Sequence, residues 1–169
     1  MPTRRPPRIP ALTHLDAQGR ARMVDVATKR VTARSARATA ILRMQPATLR
    51  AILDGTTPKG DVLAVARVAG IQAAKRTPEL VPLCHAIALT GVEVSFTPAD
   101  DGTHLRVEAT ARARDRTGVE MEALVAASLA ALTVYDMVKA IDRGLVIEHL
   151  GLEEKRGGRS GIWRRASVD

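Results

Sequence analysis

The chain has 169 residues with a net charge of +8, of which 46% are apolar and 26% charged. These proportions exclude a largely disordered or fibrous protein and suit one domain with its own core. A single cysteine excludes both an intramolecular disulfide framework and a zinc site built from several cysteines. Charged residues interrupt the apolar stretches before the roughly 20 residues of a membrane span, and no signal peptide opens the chain. We therefore expect a cytoplasmic protein with no membrane partner.

The positive charge lies mostly near the two ends of the chain. Three arginines precede residue 11, and five lysines and arginines lie between residues 155 and 165. Such stretches can bind nucleic acid or a phosphorylated small molecule. Only three residues are aromatic, which is too few for the stacking surfaces of single-strand binders. We expect no nucleic-acid partner, with a basic ferredoxin-like RNA-binding module as the alternative to an enzyme.

The first predicted elements are a strand and two helices. Residues 1–11 are rich in Pro and Arg and are predicted to form a disordered basic tail. Residues 31–44 are ambiguous, because alanine favours a helix whereas the β-branched residues favour a strand. Pro46 and Asp61 are predicted to begin two helices, the second of which ends at about Thr77.

The second half of the chain predicts a hairpin, a long helix and a last strand. Residues 92–97 and 105–112 alternate apolar with polar side chains, which predicts an antiparallel pair. Thr117 and Glu120 have the spacing of a capping box at the start of the longest helix. Residues 146–153 predict a short final strand.

This order of elements predicts the α+β class. It matches a ferredoxin-like βαββαβ sandwich, in which an antiparallel four-stranded sheet carries helices packed on one face. We expect a single catalytic domain over residues 12–161 and a C-terminal tail over residues 162–169.

The longest helix is apolar on almost every side, which is typical of a helix covered by other parts of the protein. Glu120, Glu122, Asp136 and Lys139 interrupt it, and such charges cost stability unless they are paired or face a polar cavity. Asp136 and Lys139 can form either a structural ion pair or part of a site. Glu122 and Asp136 are separated by roughly 21 Å along a helix. They therefore contact opposite ends of a large ligand, or different subunits supply them.

Lysine is rare, with five copies against 21 arginines. A chain that uses Arg for positive charge keeps Lys where a compact ammonium with an adjustable pKa is useful. Lys59 precedes a predicted helix N-terminus, where an anion binds favourably, although the segment lacks the full phosphate-loop pattern. The Gly-rich segment from Lys155 to Gly161 suits either a phosphate clamp or a solvated tail. By spacing alone, Cys84 and His85 are more typical of structural residues.

Several of these segments resemble the MoaC family, the cyclic pyranopterin monophosphate synthases of molybdenum cofactor biosynthesis. The most specific matches are Leu83-Cys84-His85 and the run Gly-Val-Glu-Met-Glu-Ala at residues 118–123. The resemblance extends over residues 12–161. The remaining matches are residues 12–14, 23–26, 59–62, 69–77, 131–137 and 155–161. One departure is Ala86, where the family usually has Pro, which puts the rigidity of that loop in question.

The resemblance implies a lyase that acts by general acid/base catalysis without a metal or redox cofactor. The family converts (8S)-3′,8-cyclo-7,8-dihydroguanosine 5′-triphosphate into cyclic pyranopterin monophosphate and pyrophosphate. It therefore implies a purine-derived cyclised nucleoside triphosphate as the substrate. It also implies a homohexamer, a trimer of dimers, with its sites at subunit interfaces.

The site residues implied by the resemblance fall into two sets. Asp136 is implied as the catalytic acid/base, with Lys59 and Lys139 as catalytic lysines. The implied substrate-binding residues are Leu83, Cys84, His85, Glu120, Met121, Glu122, Lys75, Lys155 and Arg34. Arg34 lies in a weakly matching stretch, and Lys29 is expected to lie outside this cationic wall.

Overall fold

The computed structural model describes residues 18–166. The predicted disordered tail at residues 1–11 and the matching residues 12–14 lie outside this range. The elements within it are β1 (Thr32–Arg43), α1 (Pro46–Leu53), α2 (Val62–Lys75), α3 (Thr77–Leu80), β2 (Leu89–Pro98), β3 (His104–Asp115), α4 (Glu120–Val138), β4 (Val146–Arg156) and β5 (Trp163–Arg164).

The strands form one antiparallel sheet in the order β2-β3-β1-β4-β5. The predicted α+β class with an antiparallel sheet is confirmed, but the prediction of four strands is wrong. The fifth strand consists of Trp163 and Arg164, which pair with Lys155 and Glu154 of β4. These residues belong to the segment predicted as a tail, and two residues are too few to give an alternating pattern.

The ambiguous segment becomes the central strand β1. It pairs with β3 on one edge and β4 on the other. Ala36, Ala38, Ala40 and Leu42 alternate along it and are at most 2% exposed. Because β1 lies directly beneath α4, its small side chains let the helix pack close to the sheet, and this tertiary packing overrides the helical preference of alanine.

The two main helices begin in different ways. The predicted cap of α2 is confirmed, because the Asp61 carboxylate accepts a hydrogen bond from the backbone N–H of Ala64 at 2.9 Å. The predicted capping box of α4 is wrong, because Val119 is the N-cap residue and no side chain caps this helix. Glu120 is therefore the first helical residue, and its carboxylate folds back over Gly118.

Helices α2 and α4 pack against each other in antiparallel directions. A Cβ at Gly70 of α2 would lie 2.8 Å from the backbone oxygen of Ala126 in α4, so glycine permits this close approach. The loop before α2 carries Lys59 to Asp136 near the end of α4. Lys75, at the other end of α2, is consequently at the end of the helix pair where α4 begins.

The turn after α4 is anchored by a buried carboxylate. Asp142 is 2% exposed, and one of its oxygens accepts hydrogen bonds from the Gln45 N–H at 2.9 Å and the Thr48 hydroxyl at 3.2 Å. Its other oxygen accepts the Gly144 N–H at 3.1 Å. Asp142 thus caps α1, whose own N-cap residue Gln45 contributes no side-chain cap.

Helix α4 satisfies the length and composition of a membrane span, although charged residues interrupt it. It has 19 residues, and 56% of its most apolar window is buried inside the fold. Ala126, Ala127, Ala130, Ala131 and Val134 are fully buried, as in a helix that forms part of a protein core.

Candidate active site

Three charged residues meet near the C-terminal end of α4, and we call them the lysine–aspartate cluster (Lys59, Asp136 and Lys139). One Asp136 carboxylate oxygen accepts a hydrogen bond from the Lys139 Nζ at 2.7 Å, and the other accepts one from the Lys59 Nζ at 2.9 Å. Lys59 also donates to the backbone oxygen of Asp136 at 2.9 Å. The three side chains are about half exposed, so the cluster is open to a ligand.

The protonation states of the cluster follow from these contacts. Hydrogen bonds and charge from Lys139 and Lys59 lower the pKa of Asp136 to about 2. The same contact with Asp136 raises the pKa of Lys139. At neutral pH the cluster is therefore one carboxylate held between two ammonium groups. In this state the carboxylate can accept a proton, and the protons available for donation are on the lysines.

A second group lines a cavity of about 400 Å³ at the other end of α4, which we call the motif cavity. One wall is the loop after α3, where Leu83 has a φ of 64°, a left-handed conformation that is uncommon for a residue other than glycine. The other wall is the first turn of α4. The residues of the two matched motifs that line this cavity are Leu83, Cys84, His85, Gly118, Glu120, Met121 and Glu122.

His85 connects this loop to the segment that precedes β1. Its Nε2 lies 2.7 Å from the backbone oxygen of Val24, and Val24 also lines the motif cavity. Because a carbonyl oxygen can only accept a hydrogen bond, the Nε2 carries the hydrogen. In the neutral ring, Nδ1 is then the atom that can accept a proton.

Glu122 is the buried acid of the motif cavity, with 3% of its surface exposed. Burial raises its pKa, and the nearby charges of Glu120 and Asp115 raise it further, partly offset by a backbone hydrogen bond. Burial also raises the pKa of the Cys84 thiol, with a further contribution from Glu122. The cavity thus offers a carboxyl group suited to exchanging a proton. It does not favour a cysteine thiolate.

A larger cavity of about 840 Å³ adjoins the motif cavity, and we call it the basic cavity. The two cavities share Lys29, Thr117, Gly118 and Glu120. The cationic residues that line the basic cavity are Lys29, Arg30, Arg34, Lys155 and Arg159. With Glu120 as the acidic residue in this lining, the basic cavity suits a polyanion.

The position of Lys29 corrects the sequence-based expectation. Lys29 was expected outside the cationic wall, yet it lines both cavities. It precedes β1 in a segment without a helix or strand of its own, so no periodic pattern indicated which way it faces. Arg30 also lines the basic cavity and was not predicted, although it lies next to the ambiguous segment at residues 31–44. Arg159, another lining residue, lies within the Gly-rich segment for which a phosphate clamp was one of the two alternatives.

The predicted site residues therefore form two groups in one chain. The motif cavity and basic cavity contain all the predicted binding residues except Lys75, which is exposed at the end of α2. The lysine–aspartate cluster contains all the predicted catalytic residues. Glu122 and Asp136 lie roughly 21 Å apart along α4, from its rise per residue. A single chain does not bring the two groups together.

Within residues 18–166, no three His, Cys, Asp or Glu side chains converge as metal ligands.

These features define a class of protein: an α+β protein with a basic cavity beside ionisable side chains. The chain belongs to the MoaC family, whose family model matches residues 23–158. A protein of Chloroflexus aggregans named cyclic pyranopterin monophosphate synthase is 61% identical over 157 residues, covering 93% of this chain and 95% of that protein. Cyclic pyranopterin monophosphate synthase 1 of Mycobacterium tuberculosis is 55% identical over 159 residues, covering 94% and 93%. The resemblance drawn from the motifs is thus confirmed, and the RNA-binding alternative finds no support.

Proposed function

We propose that this protein converts (8S)-3′,8-cyclo-7,8-dihydroguanosine 5′-triphosphate into cyclic pyranopterin monophosphate and pyrophosphate in molybdenum cofactor biosynthesis. The observation that carries this proposal is the identity of 55–61% to proteins named cyclic pyranopterin monophosphate synthase, over more than nine-tenths of each chain. The site is consistent with it, because a polyanion cavity adjoins a cavity that contains an acid and an imidazole.

In this proposal the two cavities bind different parts of the substrate. The basic cavity takes phosphate groups, which Arg34 and Lys155 bind through charge and hydrogen bonds. The motif cavity takes the guanine-derived ring, whose N–H groups can donate to Glu120 and Glu122. The raised pKa of Glu122 supports a role in protonating or deprotonating that ring.

The lysine–aspartate cluster is proposed to supply the remaining proton transfers. The ribose-derived hydroxyl forms a bond to the α-phosphorus, the bond from that phosphorus to the bridging oxygen of pyrophosphate breaks, and the hydroxyl loses its proton. Asp136 is ionised near neutral pH, and its carboxylate is the proposed acceptor of this proton, with Lys139 as the proposed donor. Because their mutual contact weakens Asp136 as a base and Lys139 as an acid, both roles require a substrate group to replace part of that contact. Lys59 holds the carboxylate from the other side and adds positive charge for the leaving pyrophosphate.

A complete site is proposed to form between two copies of the chain. The separation of the two groups along α4 supports this, because a substrate bound in the motif cavity would be completed by the lysine–aspartate cluster of a neighbouring copy. The helix pair also exposes apolar side chains, with Val65 at 47%, Val68 at 57% and Leu132 at 51%, which suits burial by another subunit. We propose a homohexamer, a trimer of dimers. Light scattering at micromolar concentration tests it, and a monomer would contradict it.

We also propose the bounds of the domain, its cellular location and its fold family. Residues 12–161 form the catalytic domain, and the protein acts in the cytoplasm. The four long strands belong to a ferredoxin-like core, a proposal supported by the order β2-β3-β1-β4, to which β5 adds an edge strand.

An assay of pyrophosphate release from the purified cyclised triphosphate tests the proposed function. Turnover by the wild type, and its loss in Asp136→Asn, is the expected result. A folded wild-type protein that releases no pyrophosphate and forms no cyclic pyranopterin monophosphate would overturn the proposal. If that protein instead bound RNA with a steep dependence on salt, the RNA-binding alternative would replace it.

A further inference from the structure

Arg34 is held in the basic cavity by backbone groups. Its Nε donates to the backbone oxygen of Asp115 at 3.3 Å, and its Nη2 donates to the backbone oxygen of Arg116 at 3.2 Å. Among residues 18–166, Nη1 has no hydrogen-bond partner. The guanidinium group is therefore fixed along one edge and has a donor left for a ligand.

The Gly-rich turn after β4 leaves space for this guanidinium group. Gly158 has a φ of 72°, and a Cβ built on it would overlap the Nη1 of Arg34. The adjacent Gly157 differs, since a Cβ there would overlap the backbone oxygen of Ala33 in β1. The overlap of a methyl group at Gly158 can therefore be relieved by moving the Arg34 side chain, and the cost of a left-handed φ is added to it. A methyl group at Gly157 must instead move a strand.

The same turn is tied to other groups of the basic cavity. The Lys155 Nζ donates a hydrogen bond to the Ser160 hydroxyl, and both residues line the cavity. The Thr32 hydroxyl of this lining is buried without a hydrogen-bond partner among the described residues. A buried hydroxyl of this kind is stabilised when a ligand oxygen or nitrogen contacts it.

We propose that Gly158 is a positioning residue for polyphosphate binding, because its lack of a side chain lets Arg34 present its Nη1 to a phosphate group in the basic cavity. The identification of the polyphosphate as that of the substrate rests on the proposed function. Arg34 is the residue that contacts the ligand, and Gly158 acts through it. Holding the guanidinium in place before binding reduces the entropy that is lost when the complex forms.

Binding of inorganic tripolyphosphate, measured by titration calorimetry on the full chain, tests this proposal directly. Gly158→Ala is expected to weaken binding about tenfold, because the displaced guanidinium loses a charge-assisted hydrogen bond to phosphate. Gly102→Ala is the matched control. Gly102 also has a left-handed φ, of 68°, but a Cβ there meets nothing within 4 Å, and it lies in the turn between β2 and β3.

A double-mutant cycle separates positioning from a general disturbance of the turn. If Gly158 acts through Arg34, Gly158→Ala is expected to have little further effect on tripolyphosphate binding in an Arg34→Ala background. Equal, additive losses in both backgrounds would overturn the proposal, as would wild-type affinity in Gly158→Ala. Thermal melts followed by circular dichroism verify folding. If Gly158→Ala does not fold, Gly158→Asn provides the same comparison, because it adds a Cβ at the same point and Asn tolerates a left-handed φ better than Ala.

Kinetics then distinguish this proposal from the proposed function. In the pyrophosphate-release assay, Gly158→Ala is expected to raise KM about tenfold with a smaller effect on kcat. A wild type that does not turn over the cyclised triphosphate would overturn the proposed function. Because the tripolyphosphate cycle does not depend on turnover, its result would still support or overturn the role of Gly158.

Discussion

Replacing Asp136 with Asn removes the carboxylate that contacts both Lys59 and Lys139 while keeping the shape of the side chain. The Asp136 side chain is 55% exposed and has little packing to lose, so the fold should be preserved. Loss of a positioned acid or base lowers kcat by about 10²- to 10⁴-fold, and we expect a decrease of that size in pyrophosphate release. The contact with Asp136 also raises the pKa of Lys139, so the alkaline limb of the pH profile should move to lower pH.

A matched substitution controls for the loss of one exposed carboxylate. Asp101, in the turn between β2 and β3, is also about half exposed, and hydrogen bonds from Thr103 and His104 lower its pKa to about 2. Asp101→Asn should therefore retain wild-type turnover. If a folded Asp136→Asn protein also turned over at the wild-type rate, the lysine–aspartate cluster would be structural and the catalytic reasoning would be refuted.

Three further predictions follow from buried or paired groups. Burial raises the pKa of the Glu122 carboxyl in the folded protein, so the folded state loses stability as the pH rises from the unfolded-state pKa through the folded-state pKa. Glu122→Gln should therefore have a higher Tm than the wild type at pH 8 and a similar Tm near pH 4, and an equal difference at both pH values would contradict this. Lys59→Arg and Lys139→Arg should each lose most turnover, because a guanidinium group is larger than an ammonium group and stays protonated. The control Arg50→Lys, on α1, should keep wild-type turnover, and equal turnover in all three variants would refute a specific need for lysine. Asp142→Ala should destabilise the fold by about 3 kcal/mol in urea unfolding, since it leaves buried donors unpaired; an unchanged midpoint would contradict that role.

Much of the fold was predictable because its signals are local. The hairpin of β2 and β3 follows from strict alternation, and the start of α2 follows from a capping Asp61. Strand β1 could not be predicted from its own sequence, because alanine does not favour a strand. The alanines of β1 are explained instead by the close approach of α4 in the folded protein. Strand β5 depends on pairing with β4, which no pattern within two residues can indicate.

The candidate site was predictable where one element carries it. Glu122 and Asp136 lie on the same helix, so their separation followed from the helical rise alone. The position of Lys29 in the lining of the two cavities could not be predicted in this way, because the segment before β1 has no helix or strand that would fix the direction of its side chains. The place of Gly158 beside Arg34 also required tertiary structure, since β1 and the turn after β4 are far apart in sequence.

The claim that a site is shared between subunits is tested most directly by complementation. Glu122→Gln removes the acid of the motif cavity, and Asp136→Asn removes the carboxylate of the lysine–aspartate cluster. The two variants are co-expressed with different tags, and oligomers containing both are purified through the two tags. If each site takes Glu122 from one copy and Asp136 from another, equal random mixing leaves about one quarter of the sites intact. The mixed oligomers should then release pyrophosphate at about one quarter of the wild-type rate, although each variant alone is nearly inactive. Mixed oligomers no more active than either variant alone would contradict the shared site.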